Sequence, residues 1–368
     1  MRREIGSFIE GRDFRRSVDC SICKIVQREI IEKRVHFLCS GREAISAAII
    51  DIENKKSEIS KVCLLPQYTC DTVIVPFAQK NWSIYYYPIN KNMVIDLGKM
   101  REIIDNVSPS VILIHPYYGM ELEQTSVQFF QQLVKSRNIV IIEDLTQALY
   151  FLNFPQWSNY RVVSLRKWFA IPDGGMVIAK ERIDIVKEEE DKEYVHLRRQ
   201  AQRLKSRYLL GSKEVKKDVF LQLNSRTEEM LDNKTTISKM SEYTLKEIEE
   251  IDVQAVLGVR QNNADYLDES LKSFTRILTT INIEKYAPLY YPVLVENRDS
   301  LQKFLSGNNI YTSVIWKKPR NIDCICNKDV EYIYDHILAI PCDQRYSLDD
   351  MKEIVYFIKK YEEENLEK

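Results

Sequence analysis

Short runs of consecutive apolar residues, each of strand length, recur through the first half of the chain. The runs are KVCLLP (61–66), WSIYYYPI (82–89), SVILIHP (110–116), NIVIIED (138–144), RVVSL (161–165) and GMVIAK (175–180). They are nearly continuous in Val, Ile, Leu and Tyr, which is typical of strands that are covered on both faces. Helical patterns such as DLGKMREIIDNV (96–107) and TSVQFFQQLVKSR (125–137) lie between them. This alternation predicts an α/β fold of three layers, with a mostly parallel sheet between two layers of helices.

The second half of the chain differs from the first in its composition and in its pattern of apolar residues. Residues 181–250 are rich in Lys, Arg and Glu and predict long, solvated amphipathic helices. From about residue 252 the pattern is mixed, with helices at 253–274, 299–309 (capped by Gly307) and 348–368 and strands at 287–296 and 310–316. We therefore expect a large domain over 25–250 and a smaller α+β domain over 251–368, with the N-terminal segment 1–24 packing near the small domain.

The charge balance excludes some classes of partner. The chain has 53 Lys and Arg against 54 Asp and Glu, a net charge of -1, so nothing in it favours a nucleic acid or an anionic membrane. The N-terminal stretch lacks the apolar core of a signal peptide, and no apolar run approaches the roughly 18 residues of a membrane span. We expect a cytoplasmic protein whose partners are small molecules.

The eight cysteines are expected to be free thiols in such a protein. Two close pairs, Cys20/Cys23 and Cys324/Cys326, leave a composite zinc site as an alternative. The second pair is tightly spaced and no histidine lies near either pair, so the sequence favours thiols without a metal.

Polar residues mark several predicted strand ends, where parallel α/β sheets bind ligands. Ser40, Gly41 and Arg42 precede a helix, and Ser40 with Glu43 fits a capping box. The same geometry makes an anion site, because free backbone N–H groups point outward, Gly41 permits close approach and Arg42 adds charge. Both interpretations remain open at this point.

The run VIIEDLTQAL (140–149) ends in two carboxylates, Glu143 and Asp144. Carboxylates at a buried strand end are costly unless they are paired or hydrogen-bonded. Asp144 is either a helix N-cap or the charge partner of a protonated ligand nitrogen, with Gln147 one turn further on and facing the same way.

The stretch SLRKWFAIPDGG (164–175) places Lys167 beside Arg166, between a core strand and a Gly-Gly turn. A surface lysine is the ordinary alternative, but a lysine desolvated near a second cation is an amine nucleophile. Ser164 and Lys167 also fit the S-x-x-K pattern of serine acylases, whose companion motifs are missing.

The run LIHPYYGM (113–120) is a further strand end. His115 could be a buried core histidine with its hydrogen bonds satisfied or a functional residue, and the sequence does not favour either. Tyr117, Tyr118 and Gly119 would line the same edge of the sheet.

A phosphate cradle, an aspartate and a lysine thus follow one another at strand ends. Pyridoxal 5'-phosphate (PLP) needs this set: a helix N-terminus for the phosphate, a carboxylate for the pyridine nitrogen, and a lysine that holds the aldehyde as a Schiff base.

With that order in view, the sequence resembles the DegT/DnrJ/EryC1/StrS aminotransferase family, which consists of fold-type I PLP enzymes. The resemblance rests on EIGSF (4–8), SGREA (40–44), LPQYTCDTVIVPF (65–77), HPYYG (115–119), EDLTQA (143–148), SLRKWFAIPDGG (164–175) and IPCDQRYSLDDM (340–351). It covers nearly the whole chain.

The resemblance implies roles for nine residues. Lys167 would be the Schiff-base lysine and would carry the proton between the substrate Cα and the cofactor. The cofactor-binding residues would be Ser40, Gly41, Arg42 and Ser164 at the phosphate, Asp144 at the pyridine nitrogen, Gln147 near the ring, and Tyr68 and Cys70 at the stacking position.

The sequence also departs from the family pattern. Lys167 lies three positions after Ser164, rather than the five that are usual in the family. The usual stacking aromatic aligns with Cys70, so stacking is either lost or taken by Tyr68. Segment 185–235 has no clear match to the family's substrate loops, so the Asn and Arg that are usually contributed there are not placed.

The resemblance predicts a homodimeric aminotransferase that moves an amino group from an amino acid such as glutamate to a nucleotide-linked keto sugar. Another fold-type I reaction, elimination or decarboxylation, is the alternative within enzymes. A catalytically silent or regulatory relative is the alternative outside them, and Cys70 favours it.

Overall fold

The computed structural model describes residues 4–11, 20–274, 278–281, 287–319 and 327–366. Its strands are β1 (Ile5–Gly6), β2 (Val35–Leu38), β3 (Val62–Pro66), β4 (Ser83–Tyr87), β5 (Val111–Ile114), β6 (Val140–Asp144), β7 (Tyr160–Ser164), β8 (Gly175–Ala179), β9 (Leu278–Thr280), β10 (Tyr291–Val295), β11 (Ile310–Tyr311) and β12 (Ile337–Ile340). Its helices are α1 (Ile22–Ile25), α2 (Gln27–Ile31), α3 (Gly41–Lys55), α4 (Asp71–Ala78), α5 (Leu97–Val107), α6 (Gln124–Arg137), α7 (Lys192–Leu209), α8 (Lys217–Asp232), α9 (Glu242–Glu250), α10 (Val253–Leu271), α11 (Arg298–Gly307), α12 (Lys328–His336) and α13 (Leu348–Leu366).

Seven strands form the main sheet, in the order β2-β8-β7-β6-β5-β3-β4. The pairs from β7 to β4 are parallel, whereas β8 runs antiparallel to both β7 and β2. The predicted mostly parallel sheet is therefore confirmed. Because parallel strands end at one edge, β6 and β7 bring Asp144 and Ser164 to the same edge.

Residues along each central strand alternate between two hydrophobic clusters. In β5, Val111 and Leu113 pack with α3 and α4, while Ile112 and Ile114 pack with α5 and α6. Both faces are covered by helices, which explains why the strands are apolar at nearly every position.

A smaller unit follows the main sheet in the chain. Its three-stranded antiparallel sheet has the order β12-β10-β9 and shares a hydrophobic cluster with α10, α11 and α13. The N-terminal β1 pairs in parallel with β11, at the edge of this unit. By contrast, Ile22 and Val26 pack in the cluster of the large sheet that includes Val163 and Met176.

Most predicted elements are confirmed, including the charged helices of the middle segment, which are α7, α8 and α9. The predicted strand 310–316 is wrong beyond Tyr311: a single bridge joins Ser313 to Ala339, and the chain then continues irregularly. Gly307 is the last residue of α11, and Asn308 occupies the cap position.

Cys20 and Cys23 are free thiols. Among the described residues, no group of three or more His, Cys, Asp or Glu side chains could hold a metal ion. Cys324 and Cys326 lie outside the described residues.

Within the described part of the chain, no helix is long and apolar enough to cross a bilayer.

Candidate active site

One pocket at the carboxyl edge of the main sheet collects most of the predicted site residues. Seven of the nine line it: Ser40, Gly41, Arg42, Cys70, Asp144, Ser164 and Lys167. Tyr68 and Gln147 are buried and do not line it. The pocket thus brings the phosphate cradle, the carboxylate and the lysine together, although they are far apart in sequence.

The start of α3 forms the cradle. Ser40 caps the helix by accepting a hydrogen bond from the Glu43 backbone N at 3.3 Å. Glu43 does not complete the capping box, because its carboxylate accepts from the Ser238 backbone N at 2.9 Å and pairs with Lys234 at 3.2 Å. A Cβ on Gly41 would lie 2.8 Å from the Cβ of Ser164, so a glycine is needed where α3 meets the end of β7.

The Gly-Gly turn is explained by the same close packing. A Cβ on Gly175 would lie 1.9 Å from the carbonyl oxygen of Ser40. The preceding Gly174 donates its backbone N–H to the carbonyl of Cys39 at 2.6 Å. The start of β8 is therefore fixed against the cap of α3, which positions the cradle relative to the turn that carries Lys167.

Asp144 is held from two sides. One carboxylate oxygen, Oδ1, accepts from the Thr146 backbone N at 3.0 Å, and the other, Oδ2, lies 3.4 Å from Nδ1 of His115. On its far side, Nε2 of His115 lies 3.0 Å from the Thr69 hydroxyl. Burial lowers the pKa of His115 to about 4, against the opposing effect of Asp144, so the imidazole is neutral near pH 7.

The neighbouring carboxylate has a structural task. Glu143 pairs with Nε of Arg161 at 3.1 Å and accepts from the Ser158 hydroxyl at 2.5 Å. Of the two carboxylates at this strand end, only Asp144 lines the pocket.

Gln147 keeps one unused donor. Its Oε1 accepts from the Tyr118 backbone N at 3.0 Å, whereas its buried Nε2 has no hydrogen-bond partner among the described residues. A buried amide N–H without a partner is costly, so a group that accepts from it would be stabilised here.

Lys167 ends a single 3-10 turn, Leu165–Lys167, that follows β7. The next residue, Trp168, is fully buried and donates its indole N–H to the carbonyl of Thr146 at 2.8 Å, which anchors the turn. Within the described part of the chain, Lys167 forms no hydrogen bond or ion pair. The shortened Ser164–Lys167 spacing therefore still delivers a free amine to the pocket.

Arg166 is not a free cation beside that amine. Its guanidinium forms two 2.9 Å hydrogen bonds with Glu228 of α8, and Arg198 of α7 lies 3.0 Å from the same carboxylate. These two cations outweigh the cost of burial and lower the pKa of Glu228 to about 2. The charged segment that the sequence left without a role thus supplies the wall of the pocket.

Arg42 also faces this segment. It donates to the Leu231 carbonyl at 2.7 Å and pairs with Asp232 at 2.5 Å, at the end of α8. Its predicted role at the phosphate would require it to share these contacts with the ligand.

The pocket wall contains an aromatic residue that sequence reasoning missed. Cys70 lines the pocket, whereas the ring of Tyr68 is fully buried and its hydroxyl lies 3.1 Å from that of Tyr118. Trp316 lines the pocket from the irregular segment after β11, with its ring centroid 4.8 Å from that of Tyr68. The sequence analysis placed Trp316 in a predicted strand far along the chain from the other site residues, so it gave no sign that Trp316 lines the pocket.

These residues fit PLP. Ser40, Gly41 and Ser164 line the pocket at the N-terminus of α3, which suits a phosphate; Asp144 suits a protonated ring nitrogen; and Lys167 is an amine without a hydrogen bond or ion pair among the described residues. The unpaired Nε2 of Gln147 is a further donor for the oxygen-bearing ring. The donor set is therefore sufficient for the cofactor that the sequence predicts.

Comparison with known proteins agrees with this chemistry. The sequence profile of the DegT/DnrJ/EryC1/StrS aminotransferase family matches residues 38–359. Among curated proteins, none matches the sequence closely enough to be counted as a relative.

Solved structures share the fold. The sugar aminotransferase CalS13 from Micromonospora echinospora has a TM-score of 0.64 at 15% identity, with 95% of this chain and 93% of that chain covered. PseC from Helicobacter pylori, an aminotransferase involved in pseudoaminic acid biosynthesis, has a TM-score of 0.62 at 15% identity, with 97% and 99% covered. NtdA from Bacillus subtilis, solved with bound PMP, has a TM-score of 0.63 at 14% identity, with 91% and 77% covered.

Proposed function

The chain belongs to the DegT/DnrJ/EryC1/StrS aminotransferase family of PLP-dependent enzymes, and from this premise we propose its substrates. It transfers the amino group of an amino acid such as glutamate to a nucleotide-linked keto sugar, in polysaccharide or amino-sugar biosynthesis in the cytoplasm. The observation that carries the proposal is the unpaired amine of Lys167 in one pocket with Asp144. The sugar class is supported by the relatives, since CalS13 is a sugar aminotransferase and PseC acts in pseudoaminic acid biosynthesis.

When bound, PLP supplies an aldehyde that condenses with amines and a ring that withdraws electrons from the substrate Cα. The residues around it would have separate tasks. The N-terminus of α3 and Ser164 would bind the phosphate and fix the position of the ring. Asp144 would keep a proton on the ring nitrogen, because a carboxylate next to that nitrogen favours its charged form.

His115 would orient Asp144 without competing for its charge. Its Nδ1 lies 3.4 Å from Oδ2 of Asp144, and its Nε2 lies 3.0 Å from the Thr69 hydroxyl. Because the ring is neutral near pH 7, it would hold the carboxylate in place without adding a positive charge beside it. This positioning costs no reorganisation during the reaction.

Lys167 would hold the cofactor aldehyde and then act as a base. With the cofactor bound, its Nζ would accept the proton that leaves the substrate Cα and would carry it to the cofactor. Arg166 does not compete for this task, because Glu228 neutralises it. The lysine is thus the mobile proton carrier of the pocket.

The test begins with purified protein and added PLP. We expect a visible absorption band and, after borohydride reduction, a cofactor adduct on Lys167 by mass spectrometry. Lys167→Ala should lose both, whereas Lys352→Ala, a change at an exposed helical position, should keep both. Absence of band and adduct in the wild-type protein would contradict the proposal and favour a silent relative.

The reaction itself is tested by half-reactions. Glutamate should shift the band of the loaded protein, and a nucleotide-linked keto sugar should restore it. A panel of other amino acids identifies the donor, and free keto sugars serve as the control for the nucleotide. Loss of the amino acid's carboxyl group as CO₂, or its elimination products, would instead establish the alternative reaction class.

We also propose a homodimer. Leu210, Val219 and Leu221 are exposed apolar side chains on and between α7 and α8, beside helices that form the pocket wall. Light scattering should give about twice the 43.4 kDa mass of the chain. A monomer with full activity would contradict this assembly.

A further inference from the structure

We propose that Trp316 is the aromatic wall against which the cofactor ring packs, in place of the aromatic residue that the chain lacks at Cys70. This inference rests on the proposed function, because it assigns a partner to PLP in the same pocket. It differs from the family pattern in its source, since the ring comes from the segment after β11 rather than from the start of α4.

The position of Trp316 supports this assignment. Of the pocket's lining residues, Trp316 alone is aromatic among those the structure describes, and Cys70 and Lys167 share the pocket with it. Only 6% of Trp316 is exposed. An indole in this wall would give a planar ligand an aromatic surface to pack against.

Neighbouring rings hold the indole in place. Its centroid lies 4.8 Å from Tyr68, 5.1 Å from His115 and 6.0 Å from Tyr117. These distances fall in the range of favourable aromatic pairs. Tyr68 therefore contributes to stacking indirectly, by supporting Trp316 from behind the wall.

The expected energetic effect is that of a lost aromatic contact. Trp316→Leu keeps an apolar side chain but removes the ring, and should raise the Kd for PLP about tenfold. Trp316→Phe keeps a ring face and loses the N–H, and should stay within about twofold of the wild-type Kd if packing dominates. Trp82→Phe, a change in a different hydrophobic cluster, is the matched control and should leave the Kd unchanged.

A measurement on the wild-type sequence covers the case in which Trp316→Leu fails to fold. The protein labelled with 5-fluorotryptophan has four tryptophans, so four fluorine resonances are expected, assigned by single Trp→Phe changes. Adding PLP should shift the Trp316 resonance through the ring current of the bound cofactor. The resonances of Trp82 and Trp157 should stay in place.

The outcomes separate the two proposals. PLP binding with an unmoved Trp316 resonance, or an unchanged Kd in a folded Trp316→Leu variant, overturns the role of Trp316 and leaves the proposed function intact. A Trp316→Phe variant as weak as Trp316→Leu also overturns it, because the N–H rather than the ring face would then hold the ligand. Absence of PLP binding in the wild-type protein overturns both.

Discussion

The imidazole Nδ1 of His115 lies 3.4 Å from Oδ2 of Asp144, and both side chains are buried. A charged imidazole at this place would offset the carboxylate that we propose for the cofactor nitrogen. Burial disfavours the charged ring and lowers the pKa of His115 to about 4, so the imidazole is neutral near pH 7.

The lowered pKa of His115 predicts that the protein becomes less stable in acid. An unfolded histidine takes up a proton near its usual pKa of 6.5, but folded His115 does so only near 4. Between these values the unfolded state binds more protons, so the unfolding free energy falls as the pH is lowered, by on the order of 3 kcal/mol across the window. His115→Asn removes the titrating ring but keeps a polar side chain, and should flatten this dependence in urea unfolding of the apo protein.

The matched control is His196→Asn, since His196 is exposed on α7. Its pH dependence of unfolding should follow that of the wild-type protein. Parallel profiles for His115→Asn and wild type would show that His115 is not the group that titrates.

Gly41→Ala tests the cradle. Alanine is normally the better helix residue, so at a helical site with free space the substitution would raise the unfolding free energy by up to about 1 kcal/mol. Here the new Cβ would lie 2.8 Å from Cβ of Ser164 in β7, and we expect the unfolding free energy measured in urea to fall by about 1–3 kcal/mol. PLP affinity should fall as well, because the contact lies at the predicted phosphate position.

Gly258→Ala supplies the control with the opposite sign. Gly258 lies within α10 and a Cβ there would meet nothing within 4 Å, so the substitution should stabilise the protein by up to about 1 kcal/mol. If both alanines stabilise, the close contact between α3 and β7 is not as tight as the structure has it.

Glu228→Gln tests the wall formed by α7 and α8. Glu228 is the anion shared by Arg166 and Arg198, whose side chains are 14% and 6% exposed. Glu228→Gln leaves two buried arginines without their anionic partner, and we expect the unfolding free energy to fall by about 2–3 kcal/mol. The loss is smaller than for a fully buried ion pair because Glu228 itself is 40% exposed. Glu229→Gln, at the exposed neighbouring position, should have no effect on unfolding.

The pH dependence of this variant has a defined sign. The pKa of Glu228 is lowered to about 2, so its contribution is complete above its usual range and is lost as the pH falls through acid values. Glu228→Gln should therefore differ most from wild type at neutral pH and least near pH 2. A constant difference at all pH values would contradict the ion-pair explanation.

The sequence predicted those parts of the fold and site that depend on local pattern. Strand periodicity placed β3 to β8, and the order of polar residues at strand ends identified Asp144, Lys167 and the cradle that the pocket brings together. The roles assigned to these residues at the cofactor remain predictions.

What the sequence could not show depends on long-range contact. Nothing local in Arg166 indicates that Glu228, 62 residues later, neutralises it. Trp316 looked like part of an apolar strand, because an irregular segment that packs on Tyr68 has the same composition as a strand. The short strand β2 was missed since VHFL has only four residues and lacks a flanking pattern.

Glu10 joins the N-terminal segment to both halves of the chain. Its Oε2 lies 2.6 Å from Nζ of Lys205 in α7 and 2.7 Å from Nη1 of Arg345, which precedes α13. Glu10→Gln removes the shared anion from nearly buried Lys205 and should cost about 3 kcal/mol in urea unfolding. Adding Lys205→Met should recover part of that loss, because an apolar side chain needs no partner. If Lys205→Met instead adds its own full cost to that of Glu10→Gln, the two residues are not coupled, and the N-terminal segment is held by its backbone contacts to β11 rather than by this ion pair.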